Sequence, residues 1–340
     1  MVSRRTLLGA GGLLAGQALA RAAAAADAPA SPATVPAARA DGVHTGGSRT
    51  VRIDGKYEVW VKQVGSGAGP VLTLHGGPGF NHYYLECFED FLPQAGIGFW
   101  NYDQLGCGFS DAPDDATLWT LERYLGEVEQ VRRALALERF VLYGHSWGGL
   151  LAMEYALRYG QHLSGLVISN MTASVAEYVR HAEAVLARLP SAARATIQQA
   201  RAAHSFESPE YQKVLMEEVY SQHVCRLDPW PEPVQRAFRT VNGKIYNTMQ
   251  GPDEFTITGN LKNWDIWSRL PGIKVPTLVI AARHDEMAPE QRARMAKLIP
   301  HSRLAVCERG SHMCMYDDQQ AYFRALLPFL HEAHAGRAPR

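Results

Sequence analysis

The stretch Leu142-Tyr143-Gly144-His145-Ser146-Trp147-Gly148-Gly149 decides how this chain is read. Ahead of it, Phe140-Val141-Leu142-Tyr143 is an apolar, aromatic run of the kind that forms a short buried strand. Behind it, a segment rich in Leu, Ala and Met reads as a helix from Leu150 to Tyr159. A Gly-x-Ser-x-Gly at a strand-to-helix junction is a nucleophile elbow. The turn is so tight that flanking side chains would collide, and Gly144 and Gly148 leave room for it. The strain lifts the Ser146 hydroxyl clear of the backbone, at the positive end of the following helix. Alone, the pattern could be a glycine turn with an incidental serine. The strand before it and the helix after it favour a nucleophile.

Working outward, the same rhythm recurs on both sides. Val71-Leu72-Thr73-Leu74 is a short apolar run, as in a strand buried on both faces. It ends in His75-Gly76-Gly77-Pro78-Gly79, an irregular loop whose backbone can approach a ligand closely. A helix over 83–92, a strand over 98–102 and the glycine-rich loop Asp103-Gln104-Leu105-Gly106-Cys107-Gly108-Phe109-Ser110 follow. An amphipathic helix over 120–135 leads into the elbow strand. Upstream, Thr50–Ile53 and Tyr57–Val64 alternate around Asp54-Gly55 and predict a hairpin at a sheet edge. Downstream, strands are expected over 163–169, 277–282 and 303–307, with helices over 290–298 and 319–333. Strand and helix in alternation predict an α/β fold, with a mostly parallel sheet and helices on both faces.

The rhythm stops between residues 170 and 267. Helices are expected over 175–189, 192–204, 210–225 and 233–241, separated by prolines. Because the α/β rhythm then resumes, this stretch reads as an inserted helical cap over the carboxyl edge of the sheet. Residues 49–169 and 268–335 would form the core.

The amino terminus differs in kind. Residues 1–26 carry Ser3-Arg4-Arg5-Thr6-Leu7-Leu8, then a Gly/Ala/Leu segment, then small residues. That order is an export signal, and the paired arginines resemble the twin-arginine type, which predicts a bacterial periplasmic location; a cytoplasmic protein with an Ala-rich tail is the alternative. Residues 27–48, rich in Pro, Ala and Gly, read as linker. The 340 residues are 46% hydrophobic and 20% charged, with zero formal net charge. Nothing in that balance argues for nucleic acid or an acidic membrane as partner. No apolar run in the mature region is long enough for a membrane span. The five cysteines, Cys87, Cys107, Cys225, Cys307 and Cys314, lack metal-site spacing, so no metal is expected.

A serine needs a base, and the base needs orienting. In elbow folds the partners follow in the order Ser, acid, His, each past the end of a strand. Asp285 lies just beyond the strand ending at Ala282, and His312 follows the final strand. Glu286 is a rival acid one residue on. The oxyanion needs two backbone N–H donors. Trp147, after the nucleophile, gives one; Gly77 or Gly76 gives the other, since Pro78 has no N–H. His75, His145 and His284 fall near the site and read as loop-positioning residues.

The His75–Gly79 loop, the Asp103–Ser110 loop, the elbow and Gly251-Pro252-Asp253-Glu254-Phe255 together resemble the proline iminopeptidase family of α/β-hydrolases. The last segment is similar to the branch holding tricorn-associated aminopeptidases and L-amino-acid amidases. The resemblance implies removal of an N-terminal residue, often proline, from short peptides or amides, without a cofactor. Amidase or esterase action on small substrates, and a non-catalytic binding role, are the competing readings. A free N-terminus is a cation and calls for a carboxylate. By the resemblance this is Glu254, with Glu217 or Glu218 as a second. Phe80, Tyr83 and Trp147 are candidate apolar walls or core.

Overall fold

The computed structural model describes residues 45–67 and 69–336. The export-signal stretch 1–26 and most of the linker lie outside them. The linker expectation ran to residue 48, but Ser48 already opens the first strand, held there by pairing with Lys62.

Eight strands form one sheet: β1 (Ser48–Ile53), β2 (Tyr57–Val64), β3 (Val71–Leu74), β4 (Phe99–Tyr102), β5 (Phe140–His145), β6 (Leu163–Ser169), β7 (Thr277–Ala282) and β8 (Ser302–Cys307). Their spatial order is β1-β2-β4-β3-β5-β6-β7-β8. The β1–β2 hairpin packs antiparallel on β4, and the six strands from β4 to β8 are parallel. β3, β5 and β7 are buried at every position, which is why they read as unbroken apolar runs.

Helices α1 (Leu121–Ala134) and α2 (Trp147–Tyr159) flank the elbow strand. Between β6 and β7 come α3 (Val175–Leu186), α4 (Ser191–Ala203), α5 (Pro209–Val214), α6 (Ser221–His223), α7 (Glu232–Arg239) and α8 (Gly243–Met249). After them come α9 (Pro289–Leu298), α10 (Cys314–Asp317) and α11 (Gln319–His334). The two-residue period of a strand divides the core into two layers. Phe140 and Leu142 of β5 pack with α1 and α2 on one face, while Val141 and Tyr143 pack with Phe323, Leu326 and Phe329 of α11 on the other. Each such side chain contributes about 1.5–3 kcal/mol of burial.

Three details depart from the sequence-based expectation. The helix over 83–92 is a 3-10 helix, His82–Asp90. The helix over 210–225 is broken by a π segment, Leu215–Tyr220, between α5 and α6. α8 was not anticipated; Asn242 caps it by accepting the N–H groups of Lys244 and Ile245. All five cysteines are buried free thiols.

Candidate active site

Ser146 sits between β5 and α2 with φ 55° and ψ −128°, a left-handed conformation that a non-glycine residue adopts only under constraint. The constraint is visible. A Cβ on Gly144 would stand 2.1 Å from the Gly148 carbonyl oxygen, and one on Gly148 would stand 2.2 Å from that of Leu74. The Ser146 N–H donates to Ser169 O at 3.0 Å, and its carbonyl accepts from Gly149 and Leu150. The elbow is thus locked between β3, β6 and its own helix.

His312 lies in the loop after β8 and Asp285 in the loop after β7, and their side chains meet. His312 Nδ1–H donates to Asp285 Oδ1 at 2.9 Å, which leaves Nε2 as the basic nitrogen. Asp285 Oδ2 accepts from Asn170 Nδ2 at 2.9 Å and pairs with Arg292 at 3.0 Å. Arg292 comes from α9 and is fully buried. Burial alone would push the Asp285 carboxyl up, but Arg292, His312 and the hydrogen bonds from His312 and Asn170 hold it well below the usual carboxylate range. Ser146 and His312 line one small pocket with Gly76, Gly77, Phe80, Tyr84, His145, Val224, Phe238, Glu254 and Met313.

The oxyanion side is built by a relay. Gly76 N–H donates to the Tyr84 hydroxyl at 2.6 Å. Tyr84 lies 3.1 Å from His145 Nδ1, and His145 Nε2 lies 2.9 Å from the His312 carbonyl oxygen. A carbonyl only accepts, so His145 Nε2 carries the proton and Nδ1 accepts from Tyr84. Burial, helped by the nearby His312 charge, lowers the His145 pKa to about 3 and keeps it neutral. Gly76 is therefore corrected as a donor to the reaction: its N–H is already used. Gly77 (φ 111°) carries no recorded acceptor among the described residues, and Trp147 N–H, at the start of α2, has no intrahelical acceptor. These two N–H groups are the ones left available.

Gln104 ties the second glycine-rich loop to this wall. Its N–H donates to His75 Nε2 at 3.1 Å, its side-chain amide donates to His75 O at 3.0 Å, and its Oε1 accepts from Trp147 Nε1 at 2.8 Å. His75 is buried and neutral, its pKa lowered to about 4 by desolvation. His284 acts through its backbone: its N–H donates to Gly310 O at 3.0 Å and its carbonyl lies 2.9 Å from His223 Nδ1. Gln104 and Tyr84 are positioning residues not expected from the sequence, where the Asp103–Ser110 loop was the signal for Gln104.

Glu254 is placed in the pocket by the cap. Tyr211 donates to Asp253, Phe255 N–H donates to Asp253 Oδ1 at 2.8 Å, and Arg201 donates to Phe255 O at 2.7 Å. The Tyr178 hydroxyl stands 3.4 Å from Glu254 Oε2 and 3.1 Å from Glu286 Oε1. Glu286 Oε1 is 3.7 Å from His312 Nδ1, and Glu286 Oε2 is buried without a hydrogen-bond partner among the described residues. Burial raises the pKa of both glutamates, His312 opposes it in both, Asp253 raises Glu254 further, and Glu254 and Asp285 raise Glu286 further. Glu286 is thus not the acid of the triad but a second buried carboxylate beside it. Its adjacency to Asp285 in sequence was the available signal.

Glu217 and Glu218 are corrected. They lie exposed on the π segment, whose buried face carries Leu215 and Val219 in line with Tyr211 of α5. Of the candidate walls, Phe80 lines the pocket; Tyr83 lies beneath Arg236 at 4.1 Å, and the Trp147 ring packs against Tyr124. Asp285, Glu286 and His312 bring three ligand atoms within 4.8 Å of one another. Arg292 pairs with this same Asp285, and His312 Nδ1 is already committed to Asp285, so the set suits an organic cation better than a metal ion. A wider groove on α1 and α2 holds no comparable chemistry, since Glu154 there is paired with Arg269.

The chain matches a family model described as the alpha/beta hydrolase fold over residues 69–319. It is 44% identical to the proline iminopeptidase of Flavobacterium johnsoniae over 82% of this chain and 96% of that protein. It is also 44% identical to that of Chitinophaga pinensis, over 84% and 97%. The crystal structure of proline iminopeptidase from Mycobacterium smegmatis superposes with a TM-score of 0.78 at 33% identity, covering 85% of this chain and 99% of that one.

Proposed function

Because the chain belongs to the proline iminopeptidase family of α/β-hydrolases, we propose that it is a serine aminopeptidase that removes the N-terminal residue, preferentially proline, from short peptides and amides through an acyl-enzyme. One observation carries the specificity: two buried glutamates, Glu254 and Glu286, sit beside the Ser-His-Asp group with one carboxylate oxygen unpartnered. A buried carboxylate without a partner is costly unless a ligand supplies one. The ammonium of a peptide N-terminus is that ligand. A seat for the amine this close to the nucleophile leaves room for one residue before the scissile bond. Phe80, Phe238, Val224 and Met313 give that residue an apolar wall suited to a pyrrolidine ring.

The chemistry follows from the geometry. His312 Nε2 takes the Ser146 proton, and Ser146 Oγ attacks the carbonyl of the N-terminal residue. The Gly77 and Trp147 N–H groups receive the oxyanion. His312, now charged and steadied by Asp285, gives its proton to the leaving amine. Water, deprotonated by His312, then frees the amino acid and restores Ser146.

The experiment is a comparison of kcat/KM on prolyl-arylamide, prolinamide, arylamides of other residues, and an N-blocked ester. Prolyl-arylamide and prolinamide should lead, with the blocked ester last. A blocked ester turned over faster than any free amine would sink the aminopeptidase reading. Export by the twin-arginine route belongs to the same proposal, supported by Arg4-Arg5 and the small residues behind them. Replacing both arginines with lysine should retain the protein in the cytoplasm; unchanged periplasmic recovery would contradict it.

A further inference from the structure

The charges that face His312 do not balance. Asp285 and Glu286 come from the loop after β7 and Glu254 from the cap, so three buried carboxyl groups surround one imidazole. The positive charge facing them is Arg292 of α9, on the far side of Asp285 at 3.0 Å from Oδ2. The His145 ring, from the elbow, lies 4.7 Å from that of His312 at an angle of 57° but is neutral, with both nitrogens engaged. The Tyr178 hydroxyl donates its one proton to the Glu254 carbonyl oxygen, lies between the two glutamate side chains and carries no charge. Three carboxylates against one guanidinium leave a dry site two positive charges short, and only retained protons can fill that deficit.

We propose that the substrate's ammonium switches on the catalytic base: by seating against Glu254 and Glu286 it drives a proton off His312, which is held as imidazolium until the amine arrives. This rests on the aminopeptidase reading above and adds to it. One of the two retained protons is shared by the glutamate pair; the other sits on His312. An arriving ammonium brings the missing positive charge itself. Imidazolium and ammonium would then compete for the same carboxylates at close range, whereas the glutamate proton adds no cation. The His312 proton therefore passes to solvent, the ammonium keeps its own, and Nε2 becomes free to accept the Ser146 proton. The direction agrees: burial lowers the His312 pKa, but Glu286, Asp285 and Glu254 together raise it to about 9. A substrate without an amine finds the base already protonated. Discrimination then appears in kcat and not only in binding.

Two measurements test this. In the first, Ser146→Ala protein is titrated with prolinamide in a calorimeter at about pH 7, where α-amino groups are mostly protonated, using two buffers of different ionisation enthalpy. Release of close to one proton per ligand is expected. Binding heat that does not depend on the buffer overturns the switch, and no binding at all overturns the amine seat as well. In the second, Glu286→Gln is assayed at neutral pH on p-nitrophenyl acetate and on prolyl-arylamide. Removing one carboxylate from beside His312 should speed the amine-free ester by roughly tenfold, the effect of a pKa drop of about one unit, while prolyl-arylamide turnover falls. Parallel loss on both substrates overturns the switch and leaves Glu286 as an amine ligand. No change on either removes Glu286 from both roles.

Discussion

Tyr84→Phe removes a single oxygen atom and tests the relay that joins the oxyanion loop to the elbow and to the His312 loop. The Tyr84 hydroxyl accepts from Gly76 N–H at 2.6 Å and serves His145 Nδ1 at 3.1 Å. Tyr84, Gly76 and His145 are all buried, so water does not replace the lost partner. Two orphaned groups at about 1–3 kcal/mol each give an expected stability loss of about 2–6 kcal/mol. The ring remains, so no large cavity adds to this. Function should fall for a related reason. With Gly76 released, the adjacent Gly77 N–H is no longer held in place, and a loosely held oxyanion donor lowers kcat by about tenfold or more, with KM little changed. The assay is urea denaturation, reading the midpoint at unchanged slope, beside steady-state rates on prolyl-arylamide. A variant within about 0.5 kcal/mol of the parent and with unaltered kcat would refute the relay.

Asp285→Asn should lower kcat by roughly ten-thousandfold, because the amide no longer fixes the His312 tautomer. It also strands Arg292 as a buried charge, at a cost of about 3–5 kcal/mol in urea denaturation. Near-normal activity would transfer the acid's role to Glu286, which lies 3.7 Å from Nδ1. Glu254→Gln should reduce kcat/KM on prolyl-arylamide by about tenfold to a hundredfold, the worth of one charge-assisted hydrogen bond, and cause no loss on an N-blocked ester. Equal loss on both would remove its assigned part. Stability should fall in mild acid. His75 and His145 have folded-state pKa values lowered to about 4 and about 3 from 6.5, so the unfolded chain takes up protons that the folded one refuses. Their contribution is complete above pH 6.5 and is lost as pH falls through about 4 to about 3. His312 acts in the opposite sense: raised to about 9, its contribution is complete below pH 6.5 and is lost as pH rises through about 9. Thermal midpoints across this range should peak near neutrality, and a flat profile would contradict these assignments.

What the sequence reveals here is mostly local. Gly144 and Gly148 declare the elbow because backbone clashes within a few residues demand them. β3, β5 and β7 declare themselves because both of their faces are covered. The order Ser146, Asp285, His312 follows from which strand each residue ends. The misplacements concern contacts between distant segments. Gly76 and Gly77 are equivalent on paper, and only the Tyr84 hydroxyl arriving from the next helix separates them. Glu217 and Glu218 stand in a helix whose π segment shifts the register by a residue, and its buried face is set by Tyr211, Leu215 and Val219. Glu286 reads as a rival to Asp285 until Tyr178 of α3 joins it to Glu254, 32 residues earlier in the chain and carried in by the cap. Arg292 looks like one more surface arginine on α9 until its burial against Asp285 is seen.

In the proposed reaction Ser146 is acylated by the N-terminal residue of the substrate. Rapid acid quench of the enzyme during turnover of a prolyl ester, followed by peptide mapping, tests it directly. One prolyl residue is expected on the peptide that carries Ser146, and none in Ser146→Ala protein that retains its fold. A prolyl adduct elsewhere, or full turnover by the Ser146→Ala protein, would contradict it.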